Sequence, residues 1–120
     1  MDQQHGTWGS RIRTFKTDSA LVTVLWLGPH KRCSYHSHKT AYNQFFVISG
    51  RLGVLTDTGP GGMQETILTE KQYFTVPPNV KHEFRTYDVP TIIEEVAFVK
   101  YDDNDIDRET PGGDFFEGKA

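Results

Sequence analysis

Cys33 has no second cysteine to pair with, so intrachain disulfides are excluded and nothing points to an oxidising compartment. A block of Lys and Arg is missing too. Thirteen basic residues face 16 acidic ones for a net charge of −3, which argues against nucleic acid as the main partner. Nowhere do ~18 apolar residues run together, so no membrane-spanning helix is expected. The opening stretch "MDQQHGTWGSRIRTFKTDS" lacks the apolar run of a signal peptide. These absences set the expectation of a cytoplasmic protein without a membrane or nucleic-acid partner. A helical apolar stripe is also absent before the C-terminal tail, which turns the reading toward strands.

What is present repeats with a period of two. "RIRTFKT", "ALVTVLWL", "QFFVIS", "RLGVLTD", "ETILTE", "YFTV", "HEFRTY" and "TIIEEVAFV" are short runs rich in β-branched and aromatic residues. Turn chemistry separates them at "GPHK", "SGR", "DTGPGGM", "VPPN" and "DVP". About seven to nine short strands at this spacing predict an all-β antiparallel sandwich or small barrel. The 120 residues suffice for one domain. Its parts are an N-terminal strand at 10–19, a barrel over about 20–100 and an acidic tail at 101–120. The tail carries seven acids against two bases, with Phe115 and Phe116 available to tack it onto the barrel. "ALVTVLWL" and "IIEEVAFV" are apolar at almost every position, so both faces of these strands need cover. The core covers one face; a homodimer with sheet-to-sheet contact is expected to cover the other.

"SYHSHKTAYNQFFVISG", residues 34–50, puts His36 and His38 two apart, on the same side of a strand. The stretch holds no carboxylate, and Asn43 stands where an acidic ligand would be most natural. Gly50-Arg51 reads as a tight hairpin with the glycine at positive φ. A third histidine follows in "VPPNVKHEF". Pro77 and Pro78 force an extended approach, Asn79 tolerates the left-handed region, and His82 opens the next strand. Three imidazoles from two strands can converge inside a barrel, and three neutral nitrogens with open positions suit Zn, Fe, Mn, Ni or Co.

These residues resemble the cupin superfamily. Its first motif appears here as His36-Ser-His38, four residues, Asn43, six residues, Gly50, and its second as Pro77-Pro78-Asn79-Val80-Lys81-His82. The likeness covers roughly 20–100 and implies a double-stranded β-helix, or jelly-roll barrel. Asn43 stands in place of the motif's acidic ligand and Asn79 in place of its turn glycine. "TWGS" and "KRCSYHSHKTAYNQFFVISG" are similar to mannose-6-phosphate isomerase-type cupins. Nucleotide-sugar 3,4-ketoisomerases fit as a second group, with HxHK, an amide at the place of Asn43, and Tyr101, Asp102, Asp105 and Arg108 in the tail. In that group the histidines are implied to work without metal.

The resemblance implies His36, His38 and His82 as metal ligands and catalytic residues, with Asn43 at the fourth ligand position. A carboxamide oxygen binds metal less tightly than a carboxylate but leaves the ion a stronger Lewis acid. Glu94 or Glu95 can supply the missing charge from a distant strand, and only one of them can face inward. Tyr35, Tyr42, Arg51 and Arg85 are candidate contacts for a sugar-derived substrate, the arginines for phosphate. The leading expectation is a metal-binding sugar or sugar-phosphate isomerase. Metal-free ketoisomerase, three-histidine iron dioxygenase and non-catalytic ligand binder are the alternatives, because fold does not fix function.

Overall fold

A computed structural model describes residues 2–99, with side chains described from His5 onward. The acidic tail, with Phe115 and Phe116, lies outside the described residues. Nine strands follow in order: β1 (Asp2–Gly6), β2 (Gly9–Lys16), β3 (Ala20–Leu27), β4 (Tyr42–Ser49), β5 (Leu52–Gly59), β6 (Gly62–Leu68), β7 (Tyr73–Val76), β8 (His82–Thr86) and β9 (Thr91–Phe98). No helix among the described residues is long and apolar enough to cross a membrane.

The strands form two antiparallel sheets. One has the order β1-β2-β3-β9-β4-β7 and the other β6-β5-β8. Alternation along each strand decides which side chains the sheets enclose. Leu25 pairs with Ile93 and Ile93 with Val47, while Val54 pairs with Phe84 on the facing sheet. Each of these is nearly or wholly inaccessible to solvent, and with Leu27, Phe45, Leu52 and Val76 they make the core. Fully burying one such side chain contributes roughly 1.5–3 kcal/mol. β3 and β9, the two runs apolar at almost every position, lie side by side within the large sheet.

Two expectations need correction. The Gly50-Arg51 turn is not a hairpin, because β4 pairs with β7 and β9 while β5 pairs with β6 and β8. The turn instead carries the chain from one sheet to the other. Gly50 does take positive φ, at 97°. A Cβ there would also sit 2.5 Å from Thr91 Oγ1 and 2.7 Å from the Pro90 carbonyl oxygen, so the corner demands glycine twice over. The second correction is β1, which the polar opening sequence did not announce. It is held by backbone pairing to β2, from Asp2↔Arg13 to Gly6↔Gly9.

Candidate metal centre

The segment between β3 and β4 brings His36 and His38 to β8. His36 and His82 form an isolated antiparallel bridge, with His36 N donating to the His82 carbonyl at 3.1 Å and His82 N to that of His36 at 2.8 Å. Asn79, at φ 67°, donates its N–H to the His38 carbonyl at 2.7 Å. The Pro-Pro-Asn turn therefore fixes His38 as well as delivering His82. A ligand-capable ring nitrogen from each of the three histidines lies within 4.8 Å of the others. Ring centroids are 4.9 Å apart for His36–His38, 4.6 Å for His36–His82 and 5.5 Å for His38–His82.

The tautomers of two rings follow from their partners. His36 Nδ1 lies 2.8 Å from the Ser34 carbonyl and His82 Nδ1 lies 2.9 Å from the Val80 carbonyl. A carbonyl only accepts, so both Nδ1 atoms carry the proton and both Nε2 atoms present a lone pair. Backbone carbonyls holding one ring nitrogen while the other faces a metal are the usual outer support of a histidine ligand.

The chain beside His36 carries an irregularity no sequence signal announced. Beside β8, Cys33 N donates to the Phe84 carbonyl at 3.2 Å, but the Phe84 N–H goes to Cys33 Sγ at 3.1 Å instead of to a backbone oxygen. The Ser34 carbonyl lies 2.8 Å from His36 Nδ1 and 3.4 Å from Cys33 Sγ. Burial pushes the Cys33 thiol up to about 11; the Phe84 N–H opposes this, and the Glu95 and Glu83 charges add to it. Cys33 is thus a protonated structural acceptor at neutral pH and not a nucleophile.

Buried polar atoms test whether a cation fits. Among the described residues, His38 Nε2, His82 Nε2 and Asn43 Oδ1 are buried without a hydrogen-bond partner. Leaving one such group unpaired costs about 1–3 kcal/mol, and a divalent ion held by the three histidines would satisfy both ring nitrogens. Three imidazole nitrogens fit a borderline transition metal such as Zn²⁺, Fe²⁺, Mn²⁺, Ni²⁺ or Co²⁺.

Burial holds His82 below its ordinary 6.5. The Val80 carbonyl pulls the other way, and the neighbouring His36 and His38 add to the depression. The ring is therefore neutral, and competent as a ligand, at neutral pH. A stability consequence follows with a definite sign. Above pH 6.5 both folded and unfolded chains keep this ring neutral, so it adds no pH dependence. Below that value the unfolded chain takes up a proton that the folded chain refuses. The metal-free protein should lose stability there, levelling off below the folded value. Urea denaturation at stepped pH checks this, and replacing His82 by Gln should flatten that part of the profile.

The candidate substrate contacts do not gather at the histidines. Tyr42 lies on the opposite face of β4 from buried Asn43 and stacks on Phe98 at 5.2 Å. Arg51 is exposed and lies over the Tyr87 ring. Arg85 points outward from β8, where its Nε meets Glu83 Oε2 at 2.7 Å. Tyr35, 42% exposed, lines an outer groove with Asp57, Met63 and Lys81. Strand alternation explains Tyr42 and Arg85, which neighbour the inward Asn43 and Phe84, whereas Tyr35 and Arg51 lie outside the strands. Alternation also separates the two glutamates. Glu94 pairs with Phe46 and Val24 on the outer face, whereas Glu95 pairs with buried Phe45 and Thr23 and faces the interior. Glu95 takes the inward place that the substrate assignment gave to Glu94. His5 and His30 are exposed and stand outside the cluster.

Solved structures share this architecture. KdgF from Halomonas sp. superposes with a TM-score of 0.72 at 14% identity, over 86% of this chain and 90% of its own. The capsular polysaccharide assembling protein CapF from Staphylococcus aureus gives 0.73 at 18% identity, over 86% of this chain and 30% of its own. A cupin superfamily protein from Desulfitobacterium hafniense gives 0.65 at 10% identity, over 75% of this chain and 76% of its own. No protein-family model matches the sequence, and no curated protein does. At these identities the likeness establishes the fold.

Proposed function

We propose that this cupin barrel binds a divalent transition metal through His36, His38 and His82 and isomerises a sugar or sugar phosphate. The observation that carries the metal is the convergence of three ring nitrogens within 4.8 Å, with His38 Nε2 and His82 Nε2 buried and unpartnered. When bound, the ion supplies Lewis-acid polarisation of a carbonyl oxygen. The chain's own share is to orient the imidazoles through the Ser34 and Val80 carbonyls and to offer titrating groups for proton transfer α to that carbonyl. The sugar class is favoured by the motif flanks, and by the fold shared with CapF, a protein named for capsular polysaccharide assembly. Elemental analysis of protein purified without a histidine tag, followed by a panel of aldose, ketose and sugar-phosphate substrates, tests both parts. The reading fails on the metal if no ion is found and added Zn²⁺, Mn²⁺, Fe²⁺ or Ni²⁺ leaves the melting temperature unchanged.

One observation favours a second reading. Asn43 puts a neutral amide where an anionic ligand would strengthen metal binding, and the histidines can then act as acid and base alone, as in a ketoisomerase. Activity that survives chelation but vanishes in His38→Ala would select it.

We also assign a homodimer and a cytoplasmic setting. On the outer face of the large sheet, Trp26 pairs with Ile92 and Val24 with Glu94, which in turn pairs with Phe46. Trp26 is 40% exposed and Ile48 43%. These apolar side chains, with Glu94 among them, support an interaction surface on this face. Light scattering is expected to give twice the 13.7 kDa chain mass, and a clean monomer would remove the dimer.

A further inference from the structure

We infer that the outer groove beside Tyr35 is a second binding site, which takes a neutral sugar ring on the far side of the backbone from the histidines. It names the ligand class of the proposed function but depends neither on a metal nor on the histidine cluster.

The groove has a volume of about 590 Å³, within the ~300–1,000 Å³ of small-molecule sites. Tyr35, Asp57, Met63, Lys81 and the turn at 59–62 line it. Each polar residue adjoins an interior one in the chain: Tyr35 adjoins His36, Asp57 adjoins Thr56 and Lys81 adjoins His82. Thr56 pairs with His82, and Asp57 N donates to the Lys81 carbonyl at 3.0 Å. Asp57 and Lys81 therefore stand side by side, one step past that pair.

The two charges in the groove are not spent on each other. Asp57 Oδ1 accepts the Gly59 N–H at 2.9 Å, which fixes the carboxylate; its second oxygen has no hydrogen-bond partner among the described residues. Lys81 forms no ion pair with Asp57 or with any other described residue. Loss of surrounding water raises the Tyr35 phenol above its ordinary 10.0, and the Asp57 and Glu83 charges raise it further. The phenol is therefore protonated at neutral pH and can donate as well as accept. Gly59 and Gly61 take φ of 126° and 72°, and a Cβ on either would meet nothing within 4 Å, so the rim of the groove is open.

This lining selects against ions of one sign. An anion would face Asp57 and Glu83, and a cation would face Lys81. A small zwitterion would gain little, because exposed ion pairs are weak. Adjacent hydroxyls on one ring suit the pair better: one donates to the free Asp57 oxygen and the next accepts from Lys81. The C–H face of the ring can then cover Tyr35 and Met63, which are 42% and 54% exposed.

Amide NMR titration of the whole chain with a panel of neutral hexoses and disaccharides tests the site, with glycine and inorganic phosphate as controls. At least one neutral sugar should give saturable shifts at Asp57, Gly59, Gly61, Gly62 and Lys81. They should persist with a chelator present and in His82→Ala. Tyr35→Ala should weaken binding about 10-fold or more by removing the ring contact, whereas Tyr35→Phe should keep most of it. Asp57→Ala should cost about 10-fold by removing a charged acceptor. If the shifts vanish with the chelator and in His82→Ala, the sugar sits at the histidines; this inference falls and the proposed function stands. If wild type binds no metal but binds sugar at the groove, the proposed function fails on the metal and this inference stands. Equal affinity in wild type and Tyr35→Ala overturns it, as does a panel in which no sugar, or only glycine or phosphate, shifts these amides. Should Tyr35→Ala not fold, as judged by its melting curve, Asp57→Ala decides, and wild-type affinity in that variant overturns the assignment.

Discussion

Replacing His82 by Ala is expected to remove the proposed divalent-metal binding, with a loss of at least about 100-fold in Zn²⁺ affinity in competition with a chelating dye. The floor is the upper end of what loss of an outer-shell partner costs, and His82 is placed to be a ligand itself. Its ring lies within 5.5 Å of both other imidazoles, and its Nε2 is buried and unpartnered. The backbone bridge to His36 uses main-chain atoms only and does not need the imidazole. The β8 pairing with β5, which begins at Thr56↔His82, is likewise independent of the side chain. Far-UV circular dichroism should therefore be unchanged while metal binding is lost. The proposed isomerase activity should go with it, whether the ring serves as ligand or as acid and base. Binding at wild-type affinity in His82→Ala would dismiss the three-histidine centre.

Phe45→Ala is expected to cost about 3–5 kcal/mol in urea denaturation, the range for deleting a buried aromatic from a packed core. Total domain stability is about 5–15 kcal/mol, so this one change removes a large share of it. The melting temperature should fall by at least about 12 °C. Phe45 is 1% exposed and stands between Asn43 and Val47 on the inward face of β4. Its ring lies 6.0 Å from both the Phe84 and the His82 rings, so it joins the core to the metal centre. Phe45→Leu, which leaves a smaller cavity, should be milder. Tyr73→Ala on β7, where the side chain is 63% exposed, should stay within about 0.5 kcal/mol of wild type. Equal losses at Phe45 and Tyr73 would contradict the packing described.

Local signals in the chain determined a good deal. The period-two apolar pattern required strands, and Pro77, Pro78 and Asn79 required an extended approach followed by a left-handed residue before His82. The strand pattern and the turn are each fixed by residues within a few positions of one another, where backbone geometry is decided. The His36-Ser-His38 spacing suggested one side of a strand, but both residues lie outside any strand between β3 and β4, and the backbone bonds to His82 and Asn79 bring them together. The tertiary structure decided what depends on distant partners. Whether Gly50 turns a hairpin or crosses between sheets depends on which strands flank β4, and those are β7 and β9. Alternation demanded that one of Glu94 and Glu95 face inward, but only the register against Phe45 and Thr23 names Glu95. Cys33 Sγ replaces a backbone acceptor for a residue 51 positions away, and Asn43 meets Glu95 across 52. Contacts at such separations leave no periodic trace in the chain, because they are set by how the sheets close and not by the sequence around either residue. Asn43 therefore looked like an absent acid in the sequence, and the folded barrel places that acid beside it.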